Sequence, residues 1–265
     1  MNVQEKLREL GIKPVEGQNF LTSETIIKAL VEAGEAENET VLEIGAGTGS
    51  ITEELSEKAG KVYALEPDTV LYRHLVERFG DSDVELVNDD FLSYEIPEDV
   101  TRCVSNLPFQ ISSDAIEKLG ENQVQSSLIL QEELGDKIVA EPGDSRYGPL
   151  TVKANYYFIP VKLQTVPRRH YYPEPEVDTC IVKLYPNRER HGVEDEELFF
   201  KLSRALFTHK RKKVRNAFVD ARHILGMEKD EAKELRDDLP HSEERVIDLE
   251  IIQIKEIADF AAGEL

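Results

Sequence analysis

From residue 40 to residue 185 the chain alternates short apolar runs with stretches of helical periodicity, and that alternation constrains the fold more than any other feature. The runs at 40–44, 61–65, 84–87, 102–105 and 124–130 read as strands, the first ending in a glycine-rich turn. Helical spacing fills 50–58, 68–79, 112–119, 132–140 and 149–158, with Asp68 in place to cap the second of these. Strands separated by helices pair in parallel, because only a crossover returns the chain to start the next strand in the same direction. Two further strands, 161–166 and 177–184, have no helix between them and are expected to pair antiparallel. The stretch between them, at 171–176, holds two prolines and reads as a loop. After Pro186 only helical patterns remain, at 194–208, 210–221, 229–236 and 248–261. The expected architecture is a mostly parallel, seven-stranded α/β domain over 1–186 and a small all-α domain over 187–265.

Composition removes several classes. No apolar run approaches the roughly 18 residues that span a bilayer, and the charged start of the chain lacks the apolar core of a signal peptide. A cytoplasmic protein with no membrane partner is expected. Cys103 and Cys180 both sit in apolar runs and read as buried thiols. The six histidines (74, 170, 191, 209, 223 and 241) show no metal-ligand spacing, and no Gly-x-Ser-x-Gly element is present. Neither a metal nor a covalent intermediate is expected. No apolar surface stripe stands out in the pattern, so a monomer is the default.

The turn after the first strand reads Glu43-Ile44-Gly45-Ala46-Gly47-Thr48-Gly49. Glycines at such a turn let the backbone approach a ligand closely. The spacing lacks the third glycine of a dinucleotide fingerprint in register. Glu66 closes the next strand, where an acid can accept from both hydroxyls of a ribose. Adenosine with a short amino-acid tail fits this arrangement, since no pyrophosphate needs cradling, and S-adenosylmethionine has that shape. An NAD or nucleotide site and a purely structural turn are the alternatives. Asp90, just past the third strand, is placed either to accept from the cofactor's adenine amine or simply to face solvent.

Asn106-Leu107-Pro108-Phe109 follows the fourth strand. Asn and Pro make a turn there by themselves, but ligands of open α/β sheets sit at the carboxyl ends of strands near the topological switch. An adenine amine is a poor nucleophile, because its lone pair is delocalised into the ring. The Asn106 side-chain oxygen and a backbone carbonyl near Leu107 can accept its two N–H bonds and favour a pyramidal nitrogen. Phe109 can stack on an extruded base. Positioning, rather than a strong base, then carries the chemistry.

These motifs and their order resemble the KsgA family of small-subunit ribosomal RNA adenine N6,N6-dimethyltransferases, in an archaeal-like form. The resemblance runs through Gly17-Gln18-Asn19-Phe20-Leu21, the Glu43–Gly47 loop, 105–112, 131–150, 172–178 and 209–216. Ala46 stands where the family often has Pro, and Phe109 where Tyr is commoner. The resemblance implies a Rossmann-like class I methyltransferase fold and a helical RNA-binding domain. It also implies S-adenosylmethionine as cofactor and the small-subunit (16S) ribosomal RNA, in a pre-30S particle, as partner. Two neighbouring adenosines near the 3′ end would each receive two methyl groups. Carried over residue by residue, the cofactor contacts are Asn19, Leu21, Gly45, Gly47, Glu66, Asp90 and Asn106. Read without it, 18–21 is only the lead-in to a helix capped at Thr22 or Ser23. A large-subunit rRNA adenine methyltransferase and a non-catalytic ribosome-assembly factor on the same fold are the alternative readings.

The formal charge of −21 opposes RNA binding, which needs Lys and Arg at phosphates. Either the bases are segregated onto one face, or the protein works at high salt, where screening shortens to about 3 Å at 1 M. Residues 198–219 do contain seven Lys/Arg and no acid. Lys210, Arg211, Lys212, Lys213 and Arg215 are therefore the expected RNA face, with Arg168 and Arg169 as an extension.

Overall fold

A computed structural model describes residues 3–15 and 17–264. In chain order the elements are α1 (Val3–Glu9), β1 (Phe20–Leu21), α2 (Glu24–Gly34), β2 (Thr40–Ile44), α3 (Ser50–Ser56), β3 (Lys61–Leu65), α4 (Thr69–Phe79), β4 (Val84–Val87), β5 (Arg102–Asn106), α5 (Ser112–Glu121), β6 (Gln125–Gln131), α6 (Glu132–Ile138) and α7 (Pro149–Tyr157). Then come β7 (Phe158–Val166), β8 (Tyr171–Tyr172), β9 (Thr179–Pro186), α8 (Glu196–Phe207), α9 (Val214–Leu225), α10 (Lys229–Leu235) and α11 (Ile251–Glu264). They form two compact units: Met1–Gly135 with Ile159–Pro186, and Asp136–Phe158 with Asn187–Leu265.

The first unit holds a seven-stranded sheet of order β4-β3-β2-β5-β6-β9-β7. The pairs β3/β4, β2/β3, β2/β5 and β5/β6 are parallel and β6/β9 is antiparallel. As expected, the last two strands of the sheet are neighbours, and β9 is also inserted against β6. The order reverses between β2 and β5, which opens a crevice beyond their carboxyl ends. Strand β2 is buried on both faces, with Val41, Leu42, Glu43 and Ile44 each at most 2 % exposed, so its sequence runs apolar instead of alternating. Helix α2 buries Ile27, Leu30, Val31 and Gly34, one stripe at helical spacing. A β-carbon on Gly34 would lie 2.3 Å from Val104 Cγ2, so glycine sets how closely α2 approaches β5. Asp68 caps α4, accepting from Val70 N and Leu71 N at 2.8 and 3.0 Å. Both cysteines are buried.

Three expectations change here. Residues 136–158, assigned to the first domain, pack with the C-terminal helices, because their aromatic side chains belong to that core. Tyr156 meets Phe199 and Phe200 at 5.6 and 5.1 Å between ring centres, Tyr147 meets Phe207 at 5.4 Å, and Tyr147 OH donates to Leu249 O. The stretch at 171–176 is not all loop, since Tyr171 and Tyr172 pair antiparallel with Leu21 and Phe20. The apolar stripe not seen in the sequence exists on β7, where Ile159, Val161 and Leu163 are 60, 40 and 48 % exposed on alternating positions of an edge strand. The expected strand begins only at 161, which leaves Ile159 outside it.

In the second unit α8 is capped by Asp195, which accepts from Leu198 N at 2.9 Å. The helix expected over 210–221 starts only at Val214. Lys213 is extended and forms an isolated bridge with Arg245, while Val214 N and Arg215 N donate to Glu244 O and Ser242 O. These tertiary partners take the backbone donors of a first turn, so 209–213 is a turn.

Candidate active site

The crevice at the strand-order reversal holds a cavity of about 250 Å³. Three segments line it: 17–21, the loop 45–48, and 106–110, with Glu66 at its side. Asn19, Leu21, Gly45, Gly47, Glu66 and Asn106 through Phe109 are thus brought together from positions up to 90 residues apart in sequence.

The glycine loop is tied to the end of β3, since Gly45 N and Ala46 N both donate to Leu65 O at 2.9 Å. Gly47 has φ +58°, a left-handed conformation, and its N–H donates to Glu66 Oε2 at 2.7 Å. A β-carbon there would press on the Phe20 ring at 3.1 Å. Glu66 is 4 % exposed. Its other oxygen accepts from Asp68 N at 3.0 Å. Burial raises its pKa above the ordinary carboxylate value, and the two backbone donors oppose that rise only in part. Asn88 braces the same corner by donating to Glu66 O at 2.8 Å. A carboxylate has about four lone-pair sites; two are used, which leaves acceptors for a pair of sugar hydroxyls.

Beneath the loop, Glu43 is 1 % exposed. Its Oε2 accepts from Thr52 Oγ1 at 2.6 Å and its Oε1 has no partner. Burial, reinforced by the Glu66 charge, pushes its pKa up from 4.5 to about 8. Glu43 is therefore a neutral carboxylic acid at pH 7, joining β2 to α3.

Asn106 is anchored by its amide group, with Nδ2 donating to Asn19 O at 3.0 Å. This bond fixes which way the side chain faces. Its oxygen, Oδ1, is buried and has no hydrogen-bond partner. Buried acceptors without partners are uncommon and call for a ligand or another reason. Ser105 Oγ donates to Ile44 O at 2.6 Å, locking β5 to β2 at the switch point. Pro108 O accepts from Ile111 N and Ser112 Oγ, both at 3.2 Å, whereas the Leu107 carbonyl takes part in none of the loop's hydrogen bonds. Phe109 is half-buried in the cavity wall. Gly17 crosses against this loop so closely that a β-carbon would overlap Gln110.

Asp90 does not line the cavity. It is exposed, and its Oδ1 caps the following turn by accepting from Leu92 N at 2.8 Å. Lys118, which the sequence reading passed over, holds that turn by donating to Phe91 O, Leu92 O and Tyr94 O at 2.8, 3.0 and 2.5 Å. A lysine on a helix carries no signal for such a contact. Glu43 was legible only as part of the loop motif, and the strand β1 that carries Phe20 and Leu21 is too short to show a period.

A family model described as ribosomal RNA adenine dimethylase matches residues 11–247. The chain belongs to this family. It is 38 % identical over 253 residues to a Thermococcus sibiricus protein named probable ribosomal RNA small subunit methyltransferase A, a match covering 94 % of this chain and 91 % of the relative. A dimethyladenosine transferase from Plasmodium falciparum superposes with a TM-score of 0.81 at 25 % identity, covering 92 % of this chain and 98 % of that one. The 23S rRNA methyltransferase ErmE shares the fold less closely, with a TM-score of 0.67 at 24 % identity over 91 % and 98 % of the two chains. Family membership thus reaches the same reading as the ordered motifs, and the Rossmann-like fold accords with it.

The expected RNA face of the second unit is largely paired. Lys212 bonds Asp220 at 2.7 Å, Lys213 bonds Glu243 at 2.6 Å, Arg215 also contacts Glu243, and Lys210 donates to Ser145 O at 2.6 Å. Acids outside the run, at 220 and 243, pair with it. Arg211 is exposed and carries no ion pair. In the first unit Arg168 bonds Glu174 at 3.0 Å, and Arg169 is exposed. Among the described residues no three His, Cys, Asp or Glu are grouped to share an ion, and no helix is long and apolar enough to cross a membrane.

Proposed function

We propose that this chain methylates the N6 amines of two adjacent adenosines near the 3′ end of small-subunit ribosomal RNA, giving N6,N6-dimethyladenosine, with S-adenosylmethionine as methyl donor. The buried, partnerless Oδ1 of Asn106, a residue that lines one cavity with the glycine loop and Glu66, carries this reading.

The residues fit that cofactor. Glu66 has acceptors left for the ribose hydroxyls, while Asn19, Leu21, Gly45 and Gly47 form the walls around it. Asp90, which lies outside the cavity lining, is assigned the adenine amine. When bound, the cofactor supplies an electrophilic methyl on a sulfonium. Asn106 Oδ1 and the Leu107 carbonyl accept the N–H bonds of the target amine and aim its lone pair. Phe109 stacks on the base once it has left its helix. A neutral Glu43 keeps a second negative charge away from Glu66.

For the second methyl, the amine holds one hydrogen instead of two, and it must turn to present its lone pair again. Asn106 stays fixed through its bond to Asn19 O, so the turning falls to the substrate amine.

Incubation of small-subunit rRNA with labelled cofactor, followed by mass spectrometry, tests the proposal. Dimethyladenosine in the 3′-terminal hairpin is the expected product. Label in large-subunit rRNA alone, or none at all, refutes it.

A further inference from the structure

The first unit carries a second cleft, of about 270 Å³, beside the N-terminal segment. Gln4, Leu7 and Arg8 of α1 form one wall, at the i, i+3, i+4 spacing of a single helix face. Lys13 and Tyr172 complete it. Glu5 and Glu9 of the same helix do not line it.

Arg8 and Lys13 are exposed, and among the described residues neither has an ion pair or a side-chain hydrogen bond. In a chain with 53 acids and 32 Lys/Arg, four other cations of this unit are held in ion pairs: Arg78 with Glu53, Arg102 with Glu39, Lys61 with Glu85, and Lys183 with Glu35. Two free cations on one cleft therefore form a local positive site on an acidic protein, where an anion gains most. Tyr172 is half-buried, rests against the Leu7–Phe20–Leu71 cluster, and makes no hydrogen bond through its hydroxyl. It is a held aromatic face beside two free cations, the combination that binds single-stranded nucleic acid without reading sequence.

The cleft adjoins the methyl-transfer cavity. Phe20, a wall of the cavity, pairs directly opposite Tyr172, and Pro14 in the cleft is followed by Val15 in the cavity.

We propose that the cleft seats a nucleotide flanking the target adenosine in single-stranded RNA, its base on Tyr172 and its phosphate between Arg8 and Lys13. This rests on the function proposed above. It places an RNA contact on the catalytic unit itself.

The test uses the full chain and a fluorescent hairpin from the 3′ end of small-subunit rRNA, with binding measured across a salt series. Arg8→Gln and Lys13→Gln should each lower the slope of log affinity against log salt by about 0.7. Tyr172→Leu should weaken binding about 5- to 150-fold, whereas Tyr172→Phe keeps the ring and the affinity. Lys28→Gln, an equal charge change elsewhere on the unit, should leave RNA affinity alone. Unchanged cofactor affinity in each variant shows that the fold survives. Wild-type affinity and slope in the Arg8→Gln/Lys13→Gln double variant would overturn the cleft while leaving the methyltransferase reading standing. The same holds if those substitutions weaken binding of free AMP but not of the hairpin. A wild-type protein that binds cofactor but not the hairpin overturns both.

Discussion

Replacing Asn106 with Ala separates the two jobs of that side chain. The amide N–H donated to Asn19 O exists before substrate arrives, so its loss appears in the resting protein. A hydrogen bond of this kind contributes about 0.5–1.5 kcal/mol, a fall of a few degrees in Tm for a chain of this size. The Oδ1 atom has no partner in the resting state, so removing it leaves no buried donor stranded and costs little stability. Its contribution comes when the amine is held for attack. By analogy with removal of a single preorganised polar contact to a transition state, about 2.7–4 kcal/mol is lost, roughly 10²–10³ in kcat. The predicted signature is a small loss of Tm, cofactor binding still measurable by calorimetry, and methyl transfer cut at least a hundredfold in single-turnover assays with labelled cofactor. Asn106→Asp restores an acceptor but sets a carboxylate against Asn19 O, so it should recover less than full activity. Wild-type turnover in Asn106→Ala would refute the assignment, and equal losses of Tm and cofactor binding without a separate loss of kcat would make the residue structural.

Four other outcomes are expected. Glu66→Gln keeps one backbone contact but cannot accept from both Gly47 N and Asp68 N and still receive two hydroxyls, so calorimetry should show cofactor affinity at least tenfold weaker at unchanged stoichiometry. Glu43, whose folded pKa lies above its ordinary value, contributes stability that is full below about pH 4.5 and is lost as pH rises through about 8; in Glu43→Gln the fall of Tm with pH across that window should flatten, and identical slopes would contradict a neutral Glu43. Lys118→Met strips three carbonyls of their donor, so amides of 89–94 should exchange hydrogen faster and cofactor KM should rise more than kcat falls. In the second unit Arg211→Gln should lower the salt slope of RNA binding by nearly one, and Lys213→Gln by less, because Lys213 already holds Glu243; equal effects would count against that ion pair in solution.

The sequence by itself determined the sheet and the centre of its site. Periodicity is a local property, and so is the chemistry of a glycine turn or an Asn-Leu-Pro-Phe loop; alternation of strand and helix gives the parallel sheet, whereas the order of its strands, with β9 between β6 and β7, came only from the tertiary structure. Short pairings were beyond its reach. The two-residue strand at Phe20–Leu21 has no period to detect and exists because Tyr171 and Tyr172 come to it from 150 residues away. Tertiary structure alone decided that 136–158 leave the sheet for the helical unit, since their aromatic partners lie at 199–207. It also decided which charges are free. Arg215 and Lys213 are basic in sequence but neutralised by Glu243, whereas Arg8 and Lys13 lie among acids in sequence yet stand unpaired in space. Charge acts through distance across the folded surface, and a linear count of Lys and Arg cannot register it.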